Sequence, residues 1–346
     1  MQEEIKLTQF SKGGGCGCKI APSVLQQIIP NNGHISYQHL LVGNESNDDA
    51  AVYQLNNGTI ILSTADFFMP IVDDAFHFGQ IAAANALSDI YAMGGTPLMA
   101  IAILGWPVDK LPVEVAQQVM QGGKTICEKA GIPLAGGHTI DSSDPIFGLA
   151  VTGTVALEHL KKNNGAQPGD LLLLTKPVGT GLLSTALKRG VLQEPHYATL
   201  IKQMTTLNNI GEALGKMKGV HAMTDVTGFG ILGHATEMAE GSKVSIELHY
   251  SRLPKMEGVA HYIQQRTIPG ATARNRNSYS ANVQYEKDVN ETEALQLLPD
   301  PQTNGGLLIA VAEEAVEEVK SLFSTDHLPI IGRCTERREK ALYIYP

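Results

Sequence analysis

The sequence predicts an α/β (α+β) protein built as two domains of similar size, and three observations carry that expectation. The chain has 346 residues, beyond the size at which one hydrophobic core usually keeps growing. Short apolar runs bounded by Gly, Pro and Asn alternate with helix-period segments in both halves. Between the halves lies KKNNGAQPGD, residues 161–170, which is polar, carries Pro and Gly and has no apolar period, so it reads as a surface crossing. The expected division is a glycine-rich loop at 1–20, a first domain at 21–160 and a second at 161–346.

In order along the chain, a helix is expected at 22–29. Residues 50–55 and 59–64 read as strands joined by a turn at Asn57-Gly58, a strong hairpin signal. A helix follows at 78–93, closed by Gly94-Gly95, then a buried strand at 98–104, a long helix at 113–130 and a strand at 146–155. The second half opens with an apolar strand at 171–175 and a Gly-rich turn. It ends with a strand at 307–311, a helix through about 323 and a terminal strand near 341–345.

Composition narrows the function. Hydrophobic residues are 43% and charged residues 18%, an ordinary globular balance. The excess of 35 acidic over 26 basic residues gives a formal charge of -9. That argues against nucleic acid as a partner, which asks for a basic footprint, and suits carboxylates that hold cations. MQEEIKLTQF has neither the basic start nor the apolar core of a secretory signal, and no apolar stretch nears the roughly 20 residues of a membrane span. Cys16, Cys18, Cys127 and Cys334 are too few and scattered for a disulfide scaffold. The expectation is a cytoplasmic protein with no membrane partner.

Four signals bear on chemistry. SKGGGCGCK, 11–19, cannot be the interior of a stable element because of its glycines. Lys19 beside Cys16 and Cys18 is expected to lower a thiol pKa and yield a soft nucleophile or ligand. A tail with incidental cysteines stays open on spacing alone, while a zinc site lacks two further ligands. Asp48-Asp49, Asp66 and Asp225 sit at ends of apolar segments, and Asp89 shares a helix face with Asn85 and Ser88. Hard carboxylate oxygens suit Mg²⁺, which typically takes one or two carboxylates plus substrate phosphates. A single aspartate at a strand end reads better as a cap or turn residue, and only the set of four in apolar surroundings makes the cation reading competitive. In LAGGHT, 134–139, a Gly-Gly turn could cradle an anion or be a plain loop. TDVTGFGILGH, 224–234, contains a formal G-x-G-x-x-G, but HAMTD before it reads as short and polar rather than as a strand. It is therefore taken as a turn that presents Asp225 and starts a helix at 231. A Walker A loop is absent, since the first glycine it needs would fall at Gln118. PDPQTNGG, 299–306, reads as a turn and no more.

GCGCK, DDAAVY, STADFFMPIVDD, NALSDIYAMGG, LAGGHT, MTDVTGFGILGH and DPQTNGG occur in this order. Together they resemble the selenophosphate synthetase (selenide, water dikinase) family over essentially the whole chain. The DDAAV, NxxSD and TDVTGFG elements are shared with a superfamily that includes aminoimidazole ribonucleotide synthetase, thiamine-monophosphate kinase and hydrogenase maturation proteins. GCGCK, FFMPIVDD and SDIYAMGG single out the selenium enzyme. The resemblance implies an aminoimidazole-ribonucleotide-synthetase-like fold whose amino-terminal domains pair as a homodimer. It implies the reaction of ATP, selenide and water to selenophosphate, AMP and orthophosphate, with Mg²⁺ as cofactor. The product would supply activated selenium for selenocysteine and selenouridine, and a selenium-delivery protein is a conceivable further partner.

Position by position, the resemblance makes Cys16 the active-site cysteine and Lys19 the essential lysine. Asp49, Asp89 and Asp225 fall on its metal-binding aspartates. Lys19, Thr64, Asp66 and Asp89 would contact the nucleotide, with Gly136, Gly137, His138 and Thr139 as its nucleotide-binding turn. Many bacterial members carry His where this chain has Lys12, so a proton-transfer role for that histidine has no counterpart here. Asp66 and His138 are candidates for placing the water of the second half-reaction. Two alternatives differ in readout: a sister-family kinase or synthetase would release ADP, and a thiol-based selenium-binding protein would turn over no ATP.

Overall fold

The computed structural model describes residues 5–20, 22–28, 37–43, 47–323 and 328–346. The first four residues of the expected loop, position 21 and the last position of the helix expected at 22–29 lie outside them.

The first half supplies β1 (Leu40–Val42), β2 (Ala51–Gln54), β3 (Ile60–Phe68), β4 (Thr96–Trp106), β5 (Leu134–Asp141) and β6 (Ile146–Val155), with helices α1 (Pro22–Ile28), α2 (Ala75–Ala92) and α3 (Val113–Lys129). The six strands form one sheet in the order β1-β2-β3-β6-β4-β5, antiparallel except for the β4–β5 pair. The hairpin expected at Asn57-Gly58 is present. Leu55 N–H bonds Thr59 O, and Gly58 takes φ +86, the conformation glycine adopts without steric cost.

Helix α2 starts at Ala75, three residues before its expected start, because the side chain of Asp74 caps it, accepting from His77 N–H at 2.7 Å. It ends where Gly94-Gly95 require. Gly94 N–H bonds Tyr91 O, Gly95 N–H bonds Ile90 O, and Gly94 has φ +73, the pattern of a Schellman stop. The helix is buried nearly all round because it lies against β3, β6 and α3 on one side and, on the other, against the strand Val220–Asp225 and the helix Glu194–Thr205 of the second half.

The second half supplies α4 (Thr180–Lys188), α5 (Glu194–Thr205), α6 (Gly211–Gly215), α7 (Gly230–Ser242), α8 (Val259–Gln264), α9 (Gly270–Tyr279), α10 (Glu291–Leu297) and α11 (Val316–Ser321). Its strands are β7 (Leu171–Leu174), β8 (Val220–Asp225), β9 (Val244–His249), β10 (Val283–Tyr285), β11 (Leu307–Val311), β12 (Ile330–Glu336) and β13 (Leu342–Tyr345). They form a seven-stranded mixed sheet, β10-β13-β9-β12-β7-β11-β8. LLLL in β7 and LLIAV in β11 are continuous apolar runs because neighbours cover both faces of these central strands.

Three expectations need correction. The strand expected to be buried at 98–104 is β4, whose Leu98, Met99 and Ile101 are 49%, 45% and 46% exposed. One face of the first sheet lies open, so apolar content there does not report burial. LAGGHT is no turn but the edge strand β5, paired with Ala100–Trp106 of β4. HAMTD, read as too polar for a strand, lies within β8, whose residues are almost all buried against β11 and α2.

Candidate active site

The site forms where the two sheets meet around α2. Alternation along β3 turns Thr64 and Asp66 toward α2, whose helical spacing aligns Asn85, Ser88 and Asp89 to meet them. Asp49 precedes β2, and Asp225 ends β8. One carboxylate oxygen from each of Asp49, Asp89 and Asp225 lies within 4.8 Å of the others. Thr64 Oγ1 donates to Asp89 Oδ2 at 2.5 Å, and Thr224 Oγ1 donates to Asp49 Oδ1 at 2.9 Å. Asp49 Oδ2 and Asp225 Oδ2 are buried with no hydrogen-bond partner.

Three carboxylates this close cannot all stay ionised without a cation. Burial first, and the neighbouring Asp225 second, push Asp49 and Asp89 well above the usual carboxylate range. Burial also raises Asp225, against lowering by the Ser88 hydroxyl and by Lys19. Orphaned buried oxygens beside a converging oxygen donor set fit a hard divalent ion.

The glycine-rich segment closes over this cluster as a short 3-10 turn, Gly15–Cys18. Lys19 Nζ lies 3.1 Å from Asp66 Oδ2, and Asp66 Oδ2 also accepts from Asn85 Nδ2 at 2.7 Å. Burial works against the charge of Lys19, but the Asp66 carboxylate outweighs it and holds the ammonium. Cys16 is buried, its Sγ 3.1 Å from Asn85 Oδ1 and its N–H donating to Thr303 Oγ1 at 3.0 Å. Lys19 does pull the thiol's pKa down, as expected, but that pull is outweighed. Burial and the charge of Asp66 raise the Cys16 pKa, and the lowering by Lys19 is smaller. The resting group is a neutral thiol donating to Asn85.

The structure therefore brings Cys16, Lys19, Thr64, Asp66, Asp49, Asp89 and Asp225 together. It sets Gly136, Gly137, His138 and Thr139 elsewhere, in the wall of a cavity of about 750 Å³ between β5 and α3 that none of the aspartates lines. The glycines of the formal G-x-G-x-x-G serve packing. A Cβ on Gly228 would stand 2.7 Å from Cys16 O, and Gly230 needs φ +68 against the carbonyls of Leu298 and Asp300.

PDPQTNGG is more than a turn. Besides the Thr303 contact to Cys16, Asn304 N–H donates to Asn85 Oδ1 at 2.7 Å, and Lys176 Nζ donates to Asn304 O at 3.1 Å. Asn85 is thus the hub joining the cysteine, the lysine's carboxylate and the second half. A polar TN pair beside two glycines and ahead of an apolar strand was the available signal. Lys176, whose pKa burial lowers to about 7, had none.

Residues 47–155 match the family of AIR synthase related proteins, N-terminal domain, and residues 167–344 match the C-terminal domain of the same family. Among curated proteins, a selenide, water dikinase of Photorhabdus laumondii is 51% identical over 99% of both chains. One of Pseudomonas putida is 52% identical over 99% of this chain and 100% of its own. The chain belongs to the selenide, water dikinase family.

That family is also called selenophosphate synthetase, and membership makes the chain an enzyme of the kinase type. Solved structures agree on the fold. Thiamine monophosphate kinase from Aquifex aeolicus superposes with a TM-score of 0.63 at 20% identity, covering 83% of this chain and 88% of that one. Hydrogenase maturation protein HypE in complex with ATP superposes with 0.63 at 18% identity, covering 86% and 85%. The two-domain aminoimidazole-ribonucleotide-synthetase-like fold expected from the selenide, water dikinase motifs is the one observed.

Proposed function

We propose that the chain converts ATP, selenide and water to selenophosphate, AMP and orthophosphate at the Asp49–Asp89–Asp225 cluster, with Mg²⁺ held by those three residues. The observation that carries this reading is the pair of orphaned carboxylate oxygens, Asp49 Oδ2 and Asp225 Oδ2, in the cluster that Lys19 and Cys16 join through Asp66 and Asn85. When bound, Mg²⁺ would neutralise the triphosphate and the charge developing on the transferred phosphoryl group.

The protein's own groups divide the remaining work. Lys19, held by Asp66, brings a positive charge to the γ-phosphoryl as the glycine-rich turn covers it and keeps water out. Hydroselenide needs no base. It attacks γ-phosphorus, the bond to the β-phosphate oxygen breaks, and ADP remains for hydrolysis to AMP and orthophosphate. Cys16 faces the acceptor as a thiol, soft atom toward soft atom, oriented by Asn85. Asp66 is the better-placed candidate to orient the hydrolytic water, since His138 lies on β5. Thr64 and Asp89 contact the nucleotide through its phosphates, and Gly136, Gly137, His138 and Thr139 contact it from the β5–α3 groove.

In the same reading, residues 1–20 act as the covering loop, 21–160 bind ATP and form a homodimer through the open sheet face, and 161–346 complete the site. A cytoplasmic setting and a selenium-delivery partner belong to it as well. Among the described residues no helix is long and apolar enough to cross a membrane.

Anaerobic phosphorus NMR with MgATP, with and without selenide, tests the reaction. Selenide-dependent AMP, orthophosphate and a selenium-coupled phosphorus signal are expected. ADP as the only nucleotide product would move the chain to a sister activity, and turnover indifferent to selenide would refute the acceptor.

A further inference from the structure

Cys16 and Lys19 face the aspartates, but Cys18, two residues on from Cys16, faces another space. A cavity of about 410 Å³ opens there, with Cys18, Gly17 and Thr303 in its wall. Its charged lining is Lys12, Lys188, Arg189 and Arg274, with no Asp or Glu among the described residues. In a chain of formal charge -9 that is a local reversal of sign. These cations spend hydrogen bonds on backbone carbonyls, not carboxylates: Lys188 Nζ on Ser11 O at 2.8 Å, Arg274 Nη2 on Gly17 O at 3.0 Å and Arg189 Nη1 on Arg266 O at 2.8 Å. Two of the three bonds anchor the glycine-rich segment itself. The first turn of α9 also lines the cavity, with no side-chain cap on its N-terminus, which adds to the positive field.

The chemistry needs such a place. Hydrogen selenide is a monoanion at neutral pH, and its target lies among three carboxylates and a triphosphate, where a free anion is repelled. A water-filled recess lined by one sign of charge raises the local concentration of the opposite sign. The recess ends at Gly17 and at Thr303, whose Oγ1 accepts from the backbone N–H of Cys16, so its inner end abuts the backbone of Cys16, whose thiol lies buried just behind.

We propose that this cavity is the vestibule through which anionic hydroselenide approaches Cys16, held by Lys12, Lys188, Arg189 and Arg274. The proposal rests on the selenide reading above and adds the acceptor's route to it.

Two measurements on the full chain test it. The first compares alkylation of Cys18 by anionic iodoacetate and neutral iodoacetamide, located by tandem mass spectrometry. Neutralising the vestibule in the double variant Lys188→Gln, Arg274→Gln is expected to lower the iodoacetate-to-iodoacetamide rate ratio roughly tenfold. The charge-keeping pair Lys188→Arg, Arg274→Lys is expected to hold the ratio. The second is steady-state kinetics, where the neutral variant is expected to raise the KM for selenide about tenfold and leave the KM for ATP within about twofold. An unchanged alkylation ratio overturns the vestibule. A lowered ratio with an unchanged selenide KM overturns its acceptor role. Absence of selenide-dependent turnover in the unsubstituted protein sinks the functional reading instead, and is told apart because it appears before any variant is made.

Discussion

Asp66 shows how one carboxylate holds two groups of the proposed site in register: it pairs with Lys19 and accepts from Asn85, which in turn receives the Cys16 thiol. Lys19→Ala should therefore lower kcat by about two to three orders of magnitude, as loss of a preorganised donor does, and barely move the melting temperature, because the lysine is 38% exposed. Near-normal turnover would end the loop-closure picture. The acidic cluster makes a second prediction through linkage. In the metal-free protein the folded pKa values of Asp49, Asp89 and Asp225 lie above the unfolded value of about 4. A group raised in the folded state stabilises below its unfolded pKa, and that contribution is lost as pH rises through the folded values. In chelator the melting temperature should fall as pH climbs from about 4 through the raised range, and Mg²⁺ should restore it at neutral pH by binding the ionised carboxylates. A melting temperature in chelator that is flat across that range would argue against strained carboxylates.

Helix α2 is the spine of the site, and its position depends on two glycines. A Cβ on Gly79 would stand 1.9 Å from Val119 O, and one on Gly122 of α3 would stand 2.1 Å from Phe76 O. The two helices touch backbone to backbone there. Gly122→Ala must push them apart and should cost roughly 1–3 kcal/mol by urea unfolding, the usual range for overpacking. It should also raise the Mg²⁺ requirement, since Asn85 and Asp89 ride on the displaced helix. An alanine variant with unchanged stability would mean that the crossing is looser than described. The end of α2 was legible because closing glycines are a local signal, as Gly94-Gly95 are, whereas the Asp74 cap went unread and the start was expected three residues late. β5 was not legible, because what makes LAGGHT a strand is the pairing with β4, a partner more than thirty residues away whose register no local pattern reveals.

Across the whole molecule, the site exists only because both halves close on one hub: Asn85 from the first, Asn304 and Thr303 from the second, Cys16 from the amino-terminal turn. The aspartates were legible in the sequence as a set: Asp49, Asp66 and Asp225 beside apolar segments, and Asp89 on one helix face with Asn85 and Ser88. The Thr303–Asn304 contribution was not, because a turn reveals its neighbours only after two distant sheets have packed. Burial failed as a reading for the same reason on the other side of the first sheet. Phe67 of β3 and Met99 and Ile101 of β4 share the face turned away from α2 and are about half exposed, a patch of the kind that soluble chains keep for a partner. The register places them beside Ala65, Ala150 and Ile103 in one continuous apolar surface, and a second copy of the same sheet is the simplest cover for it. Ile101→Glu would bury an unpaired charge at the centre of that contact. Light scattering should then report the mass of one chain where the unsubstituted protein is expected to give that of two. A variant that keeps the doubled mass would place the pairing surface elsewhere and leave the exposed strands of the first sheet without an occupant.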